Sequence, residues 1–270
     1  QDRTVPLSVV GPVGTIAAVA GIQALTGGVR YPLDVRDVEP GDVVERDGWR
    51  AEAIGVQHRT TALGWMLAED DRPGRFDPEA ARALGVGLDD PREFGLLQKG
   101  ETVRGVTPDQ VLSQKRFGRR IVVSGDTRPC DALRAAAWRC DLLVHEATFM
   151  DEHAARARKT GHSTTTEAAA LAAEAEVGLL ALVHLSARHR PTEALAEARA
   201  TFEHTELPRD FDVVDVPFPE RGDPIFRPGA GRPRRSAPDG PAASGDAPED
   251  DGGAPTGDGD GTSASATPGP

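Results

Sequence analysis

The alternation of apolar and polar positions predicts that strands and helices follow one another through residues 119–217. Short apolar runs predict strands at RRIVVSG, CDLLVHE, GLLALVH and DFDVVDVP. Between them, helical apolar spacing is found in PCDALRAAAWR, near residues 149–158 and 166–176, and in TEALAEARATFEH. Strands that alternate with helices indicate an α/β layer architecture.

The first 68 residues predict a strand, a helix and a hairpin. PLSVV is typical of a short strand, and GPVGTIAAVAGIQALTGG predicts a turn and a helix that ends at glycine. DVVERDGWRAEAIGV alternates on both sides of Asp47 and Gly48, which is the pattern of a β-hairpin. The following QHRTTALGWMLAED predicts a turn and a further strand.

Two stretches, residues 69–118 and 222–270, depart from this pattern. The first is rich in turn residues, with one short helix predicted near 78–84, and it is long for a connection, so we interpret it as a protruding arm. The second consists mainly of small and polar residues that cannot bury enough apolar surface to offset their ordering entropy, which predicts a disordered tail. The sequence therefore predicts one domain over residues 1–221, with the arm inserted into it.

The composition favours a cytoplasmic protein that does not enter a membrane. No apolar run approaches the length of about 18 residues that spans a bilayer, and because the first residues lack the basic and apolar regions of a secretory signal, we do not expect one. Cys130 and Cys140 match neither a disulfide framework nor a metal-binding spacing, so we interpret both as reduced core residues. The net charge of −12 argues weakly against nucleic acid as a partner. The chain begins at Gln1 rather than Met, which leaves its natural start open.

Residues of metal-ligand type stand at the ends of several predicted strands. Asp126 follows RRIVVSG, Glu146 ends CDLLVHE, His184 ends GLLALVH, and His58 follows AEAIGVQ. Because ligands bind beyond strand ends in such sheets, His58, Asp126 and His184 predict one metal site. These ligand types suit Zn²⁺, Mn²⁺ or Fe, and a carboxylate that bridges two metals suits displacement at phosphorus. The alternative is that each is an ordinary structural residue, and three ligands are fewer than a two-metal site uses.

A further candidate, His162, lies in TGHSTTTEAA, where Ser163 or Thr164 is placed to cap the helix that begins near Thr166. A histidine on such a helix-entry loop is suited to proton donation, and Glu146 is then a candidate to orient it or to share its proton. The alternative is a capping loop with an incidental histidine. Three other histidines are interpreted as surface residues: His153, His189 and His204.

Five motifs, taken in order along the chain, resemble those of ribonuclease Z, the tRNA 3′-processing endonuclease family of the metallo-β-lactamase superfamily. They are GVQHRTTALGW (55–65), SGDTRP (124–129), DLLVHEATF (141–149), GHSTTTEAA (161–169) and LVHLSAR (182–188). DRPGRFDPEAARALGV, followed by FGLLQKGE, resembles the tRNA-gripping arm of this family. The resemblance covers about residues 5–218.

The resemblance implies an αββα sandwich, two Zn²⁺ ions per subunit, a homodimer and a precursor tRNA as substrate. It implies that His58 binds one zinc ion, that His184 binds the other, and that Asp126 bridges both. Glu146 and His162 match the pair that would protonate the leaving 3′-oxygen when the 3′ trailer is removed. Two residues of the HLSAR turn are implied, more weakly, to contact phosphate: Ser186 and Arg188.

One part of the family pattern is missing from the chain. The H-x-H-x-D-H motif, which would supply four zinc ligands and the general base, does not occur in the sequence. We therefore expect an N-terminally truncated chain, holding the C-terminal two-thirds of the fold, that binds zinc poorly and does not cleave tRNA by itself. The alternatives are another metallo-β-lactamase-fold phosphodiesterase or hydrolase, and a non-catalytic RNA-binding or dimerisation module.

Overall fold

A seven-stranded mixed sheet organises the described part of the chain, which comprises residues 3–229 of a computed structural model. The strands lie in the order β3-β4-β5-β6-β7-β8-β9. Their bounds are β3 Val43–Arg46, β4 Trp49–Gly55, β5 Leu63–Glu69, β6 Arg120–Val123, β7 Leu142–Glu146, β8 Leu179–Val183 and β9 Thr205–Glu206. Two small sheets accompany it, formed by β1 (Leu7–Pro12) with β2 (Leu33–Val38), and by β10 (Val213–Asp215) with β11 (Ile225–Arg227).

Strand direction brings four strand ends to one edge of this sheet. β4 is antiparallel to β5, and β5 is antiparallel to β6, so β4 and β6 run the same way. β6, β7, β8 and β9 are parallel to one another. The carboxyl ends of β4, β6, β7 and β8 therefore lie along the same edge, where the loops that follow them meet.

Helices connect the parallel strands and cover one face of the sheet. Their bounds are α4 Asp131–Ala137, α5 Ala154–Thr160, α6 Thr165–Glu174 and α7 Pro191–Arg199. Alternate strand residues face them, and Val122, Leu143 and Leu180 are fully buried in the resulting apolar cluster. This arrangement confirms the α/β architecture predicted from the alternating pattern.

The opposite face of the sheet is covered only in part. Leu142, Leu179 and Ala181 pack there against partly buried residues that include Val214, on β10, and Val216. Leu67, Val123 and Val183 remain 36% or 37% exposed. In a sandwich, this is the face on which a second sheet packs.

In the N-terminal part the predicted strand, helix and hairpin all form, whereas the strand β2 was not predicted. The helix α1 spans Thr15–Thr26 and ends at Gly27, which adopts a left-handed conformation. The predicted hairpin joins β3 to β4 through Asp47 and Gly48, and the φ of 80° at Gly48 explains the choice of glycine.

The stretch between β5 and β6 forms an apolar cluster of its own. It contains the predicted short helix as α2 (Pro78–Ala83), and a second helix, α3 (Arg92–Gln98), which the sequence pattern did not predict. Asp77 caps α2 by accepting hydrogen bonds from two backbone N–H groups. Val86, Leu97 and Val111 are at most 2% exposed, and they pack apart from the cluster under the sheet.

The predicted start of the tail at residue 222 is wrong. Ile225–Arg227 forms β11 and pairs antiparallel with β10, with Phe226 opposite Val214 and Ile225 opposite Asp215. The rest of the predicted tail, from residue 230 onward, lies outside the described residues. Among residues 3–229, no helix is long and apolar enough to cross a membrane.

The two cysteine side chains differ in how far they are buried. Cys140 is 1% exposed, and this burial raises the pKa of its thiol to about 12. Cys130 is only partly buried and packs against the apolar cluster that contains Cys140, Val122 and Leu143. Both cysteines are free, as the sequence predicts.

We predict that Cys140 does not react with iodoacetamide in the folded protein at about pH 8, because the thiolate is the nucleophile and its formation is suppressed. Mass spectrometry of the alkylated chain measures this, and the protein unfolded in urea is the control in which Cys140 reacts fully. Rapid alkylation of Cys140 in the folded chain would contradict the buried position.

Candidate metal and acid–base site

The common edge of the sheet brings together the five residues for which the sequence predicts a metal or proton-transfer role. His58 follows β4, Asp126 follows β6, Glu146 ends β7 and His184 follows β8. His162, on the loop before α6, lies between two of them, with ring centroids 4.8 Å from that of His58 and 5.3 Å from that of His184. The parallel strand ends therefore form one site.

Two groups of side chains at this edge could hold a metal ion. The ligand atoms of His58, Asp126 and His162 lie within 4.8 Å of one another, as do those of Glu146, His162 and His184. Asp126 Oδ1 lies 3.3 Å from His184 Nδ1. Both Asp126 and His184 are about half exposed, which leaves the site open to solvent and substrate.

The ring of His58 is held in an orientation that suits a ligand. Its Nδ1–H donates to the carbonyl oxygen of Gly161 at 2.8 Å, which leaves Nε2 free to bind a metal ion. Gly161 ends α5 with a φ of 81°. A Cβ at this position would lie 3.1 Å from His58 Nδ1, so glycine permits the close approach.

Glu146 is a buried carboxylate that accepts four hydrogen bonds. Its Oε1 accepts from the backbone N–H of Thr127 at 2.9 Å and from His162 Nδ1 at 2.7 Å. Its Oε2 accepts from the backbone N–H of Thr148 at 3.0 Å and from the hydroxyl of the same residue at 2.8 Å. Burial at 1% exposure is tolerated because both oxygens are supplied with donors.

Thr148 links the two histidines of the second group, a role that the sequence analysis missed. Its hydroxyl donates to Glu146 and accepts from His184 Nδ1 at 2.9 Å. The same hydroxyl lies 3.2 Å from His162 Nδ1. Thr148 belongs to the motif DLLVHEATF, so a buried hydroxyl two residues after the strand-end carboxylate was the available indication.

Arg128 holds the loop that carries His162 in place, a role that the sequence analysis also missed. Its guanidinium donates to the carbonyl oxygen of His162 at 3.2 Å and binds Glu167 through both terminal nitrogens. Glu167 and Thr164 form the capping box at the start of α6, which confirms Thr164 as the cap. The Ser163 hydroxyl donates to the carbonyl oxygen of Thr127 at 2.6 Å. These contacts join the loops after β6 and before α6.

The HLSAR turn is tied to the same network through its backbone. The N–H of Ser186 donates to the carbonyl oxygen of Thr148 at 3.1 Å. The guanidinium of Arg188 lies 3.4 Å from the Ser186 hydroxyl, and its side chain is exposed. His184, which begins the turn, has a φ of 62°, an uncommon conformation for a residue with a side chain.

The prediction that His189 lies on the surface is wrong. Its side chain is 3% exposed, because it packs against Phe149 with ring centroids 6.2 Å apart. Glu152, His153 and His189 form a third group of ligand-type side chains within 4.8 Å. Nε2 of His189, however, accepts a hydrogen bond from the backbone N–H of Met150, so Nδ1 carries the proton and does not offer a lone pair.

His145 lies directly before Glu146 and points away from solvent. It is fully buried, and its Nδ1–H donates to the carbonyl oxygen of Glu146 at 2.6 Å. Its Nε2 has no hydrogen-bond partner among the described residues. Burial disfavours the imidazolium and lowers the pKa of His145 below its ordinary value.

Known proteins are similar to this chain in sequence and in fold. Ribonuclease Z of Myxococcus xanthus is 43% identical over 229 residues, which are 80% of this chain and 73% of that protein. Human tRNase Z, short form, matches with a TM-score of 0.53 at 19% identity, over 80% of this chain and 70% of that chain. The metallo-β-lactamase fold protein YhfI from Bacillus subtilis gives 0.50 at 16% identity, over 76% and 63%. No protein-family model matches the chain.

We predict that His145 contributes to the loss of stability on mild acidification. Since its pKa is lowered in the folded state, the unfolded chain takes up the proton first, and the free energy of unfolding falls as pH drops below about 6.5. Urea unfolding at several pH values between about 7 and 5 measures this slope. His145→Gln should flatten it, whereas His204→Gln, at an exposed histidine, should leave it unchanged. Equal slopes in all three proteins would contradict the assignment.

Proposed function

Because the chain belongs to the ribonuclease Z family, we propose that it carries the acid–base part and three metal ligands of an endoribonuclease that removes 3′ trailers from tRNA precursors. The observation that carries this proposal is the hydrogen bond between Glu146 and His162, placed beside His58, Asp126 and His184 at one edge of the sheet. A general acid next to metal ligands is the combination that phosphodiester hydrolysis uses.

The metal that we propose is zinc, with two ions per subunit in the complete site. The donor set fits: imidazole and carboxylate are zinc ligands, and His58 and His184 each have Nδ1 engaged in a hydrogen bond that orients the ring. Asp126, about half exposed and close to both, is suited to bridging. The bound metal supplies charge stabilisation at the phosphate and activation of the attacking water.

His162 is the residue that we assign to protonating the leaving 3′-oxygen. Glu146 accepts the Nδ1–H of His162, so Nε2 is the ring atom available for proton transfer. When the bond between phosphorus and the 3′-oxygen breaks, the proton on Nε2 passes to that oxygen, and the imidazole afterwards takes a proton from solvent. Before the transfer, the ionised Glu146 stabilises the positively charged ring. Ser186 and Arg188 are proposed to contact a neighbouring phosphate.

The substrate that we propose is a precursor tRNA, gripped by the arm of residues 69–118. The separate apolar cluster of the arm supports this role, since a folded projection presents a fixed surface to a folded RNA. A homodimer, in which the arm of one subunit serves the other, is supported by exposed apolar side chains near and on α1. They are Val13, Ile16, Ile22 and Leu25, at 50–89% exposure. Two free cysteines support a cytoplasmic location.

The 270 residues contain no H-x-H-x-D-H motif, so their own ligands number fewer than two zinc ions require. We therefore predict that this chain alone does not bind two zinc ions tightly. Isothermal titration with Zn²⁺, with Asp126→Ala as the control variant, measures this. Two tightly bound ions that Asp126→Ala abolishes would contradict the prediction.

The roles that we propose for Asp126 and His162 can be separated by mutation in a protein that joins this chain to a segment carrying the H-x-H-x-D-H motif. We predict that Asp126→Ala removes both zinc and cleavage of a tRNA precursor. His162→Ala should retain zinc and lower kcat by about 10²–10⁴-fold, the range for loss of a general acid. His204→Ala is the control. Loss of zinc in His162→Ala would refute its assignment as the proton donor, and full cleavage by Asp126→Ala would refute the metal site.

A further inference from the structure

Two antiparallel segments, residues 70–76 and 112–118, carry the arm, and we call them the arm stem. Backbone hydrogen bonds join Arg72 and Arg116 in both directions, at 2.8 and 2.9 Å. A second bridge pairs Phe76 with Leu112. Since the apolar cluster of the arm is separate from the cluster under the sheet, the stem sets the direction in which the arm projects.

Glu220, from the C-terminal part of the described chain, bridges the two strands of the arm stem. Its carboxylate accepts from Arg72 at 2.9 Å and from Arg116 at 3.3 Å, and is 24% exposed. The hydrogen bond from Arg72 and the charges of both arginines lower the pKa of Glu220 to about 2. The carboxylate is therefore ionised over the whole neutral range.

Phe218 makes a second contact with the arm stem, through Arg72. The guanidinium carbon of Arg72 lies 3.5 Å from the centroid of the Phe218 ring, and that of Arg119 lies 4.7 Å from it. Arg119 also donates to the carbonyl oxygen of Val216 at 3.0 Å and pairs with Glu69, the last residue of β5. The guanidinium groups of Arg72 and Arg119 therefore both make cation–π contacts with the Phe218 ring.

The arginines at this point repel one another unless something neutralises them. Arg72, Arg116 and Arg119 all approach the short segment of residues 216–221, and Arg72 is only 23% exposed, so solvent screens its charge incompletely. The single negative charge of Glu220 is shared by Arg72 and Arg116, Arg119 pairs with Glu69, and Phe218 stacks on Arg72 and Arg119. Without these contacts, opening of the stem would relieve the repulsion.

We propose that residues 216–221 form a latch that holds the arm stem closed, and that Glu220 and Phe218 are the positioning residues of the arm. The latch joins the stem to β10, which packs on the partly covered face of the sheet. The arm direction is thereby set by a segment that lies about a hundred residues or more from both stem strands in sequence. The consequence for substrate, tighter binding of a precursor tRNA, rests on the proposed function.

Hydrogen–deuterium exchange of the full 270-residue chain tests the latch without RNA or metal. We expect Glu220→Gln to raise exchange in peptides covering residues 70–76 and 112–118 by about tenfold, because each stem amide then opens more often. Peptides covering α2 and α3 should keep their rates, since the cluster within the arm is intact. Phe218→Leu, which keeps an apolar side chain and removes the ring, should act in the same direction.

The matched control is Glu206→Gln. Glu206 is also 24% exposed and also pairs with an arginine, Arg199, at 2.8 Å, but it lies on β9. Stem exchange at the wild-type rate in both Glu220→Gln and Phe218→Leu would overturn the latch. Equal acceleration in Glu206→Gln, or acceleration spread over the whole chain, would also overturn it, because the effect would then be general destabilisation.

Gel-shift titration with a precursor tRNA tests the functional consequence separately. We expect Glu220→Gln to weaken binding severalfold relative to Glu206→Gln. If stem exchange rises and RNA binding does not change, the latch stands and the role of the arm in gripping tRNA fails. If neither protein binds the RNA, the proposed substrate fails while the exchange result decides the latch independently.

Discussion

The buried carboxylate of Glu146 is the interaction on which the candidate site depends. A charge at 1% exposure is stable only if donors surround it, and the four that reach it come from three loops at the same edge of the sheet. Loss of any one donor leaves part of a buried carboxylate unpaired, at a cost of about 1–3 kcal/mol. Glu146 therefore fixes the loop after β6, its own loop and His162 relative to one another.

The sheet explains why these loops meet. β4, β6, β7 and β8 run in one direction, so the residues after each strand converge without any further device. The metal-type ligands and the acid–base pair lie on different elements of the fold, yet Thr148 joins them, since its hydroxyl donates to Glu146 and accepts from His184. The proposed metal ligand His184 and the proposed proton donor His162 thus both contact one hydroxyl group.

Residues at strand ends could be predicted from the sequence, whereas contacts between residues far apart in the sequence could not. Asp126, Glu146 and His184 are visible because a polar residue interrupts each apolar run, and their strands are neighbours in the sheet. The role of Arg128 could not be predicted, because its partner Glu167 follows 39 residues later and only the fold brings the two side chains together. The contact of Glu220 with the arm stem could not be predicted for the same reason, since Glu220 lies 148 residues after Arg72. The strand β11 was missed because it is only three residues long.

The protonation of His162 tests the central claim most directly. Free imidazole in water favours the Nε2–H tautomer, whereas a hydrogen bond from Nδ1 to Glu146 selects Nδ1–H. A long-range ¹H–¹⁵N correlation spectrum of the full chain at about pH 8, with the ring assigned by its loss in His162→Asn, distinguishes the two. The account predicts a protonated Nδ1 at His162, and a ring protonated at Nε2 alone would contradict it.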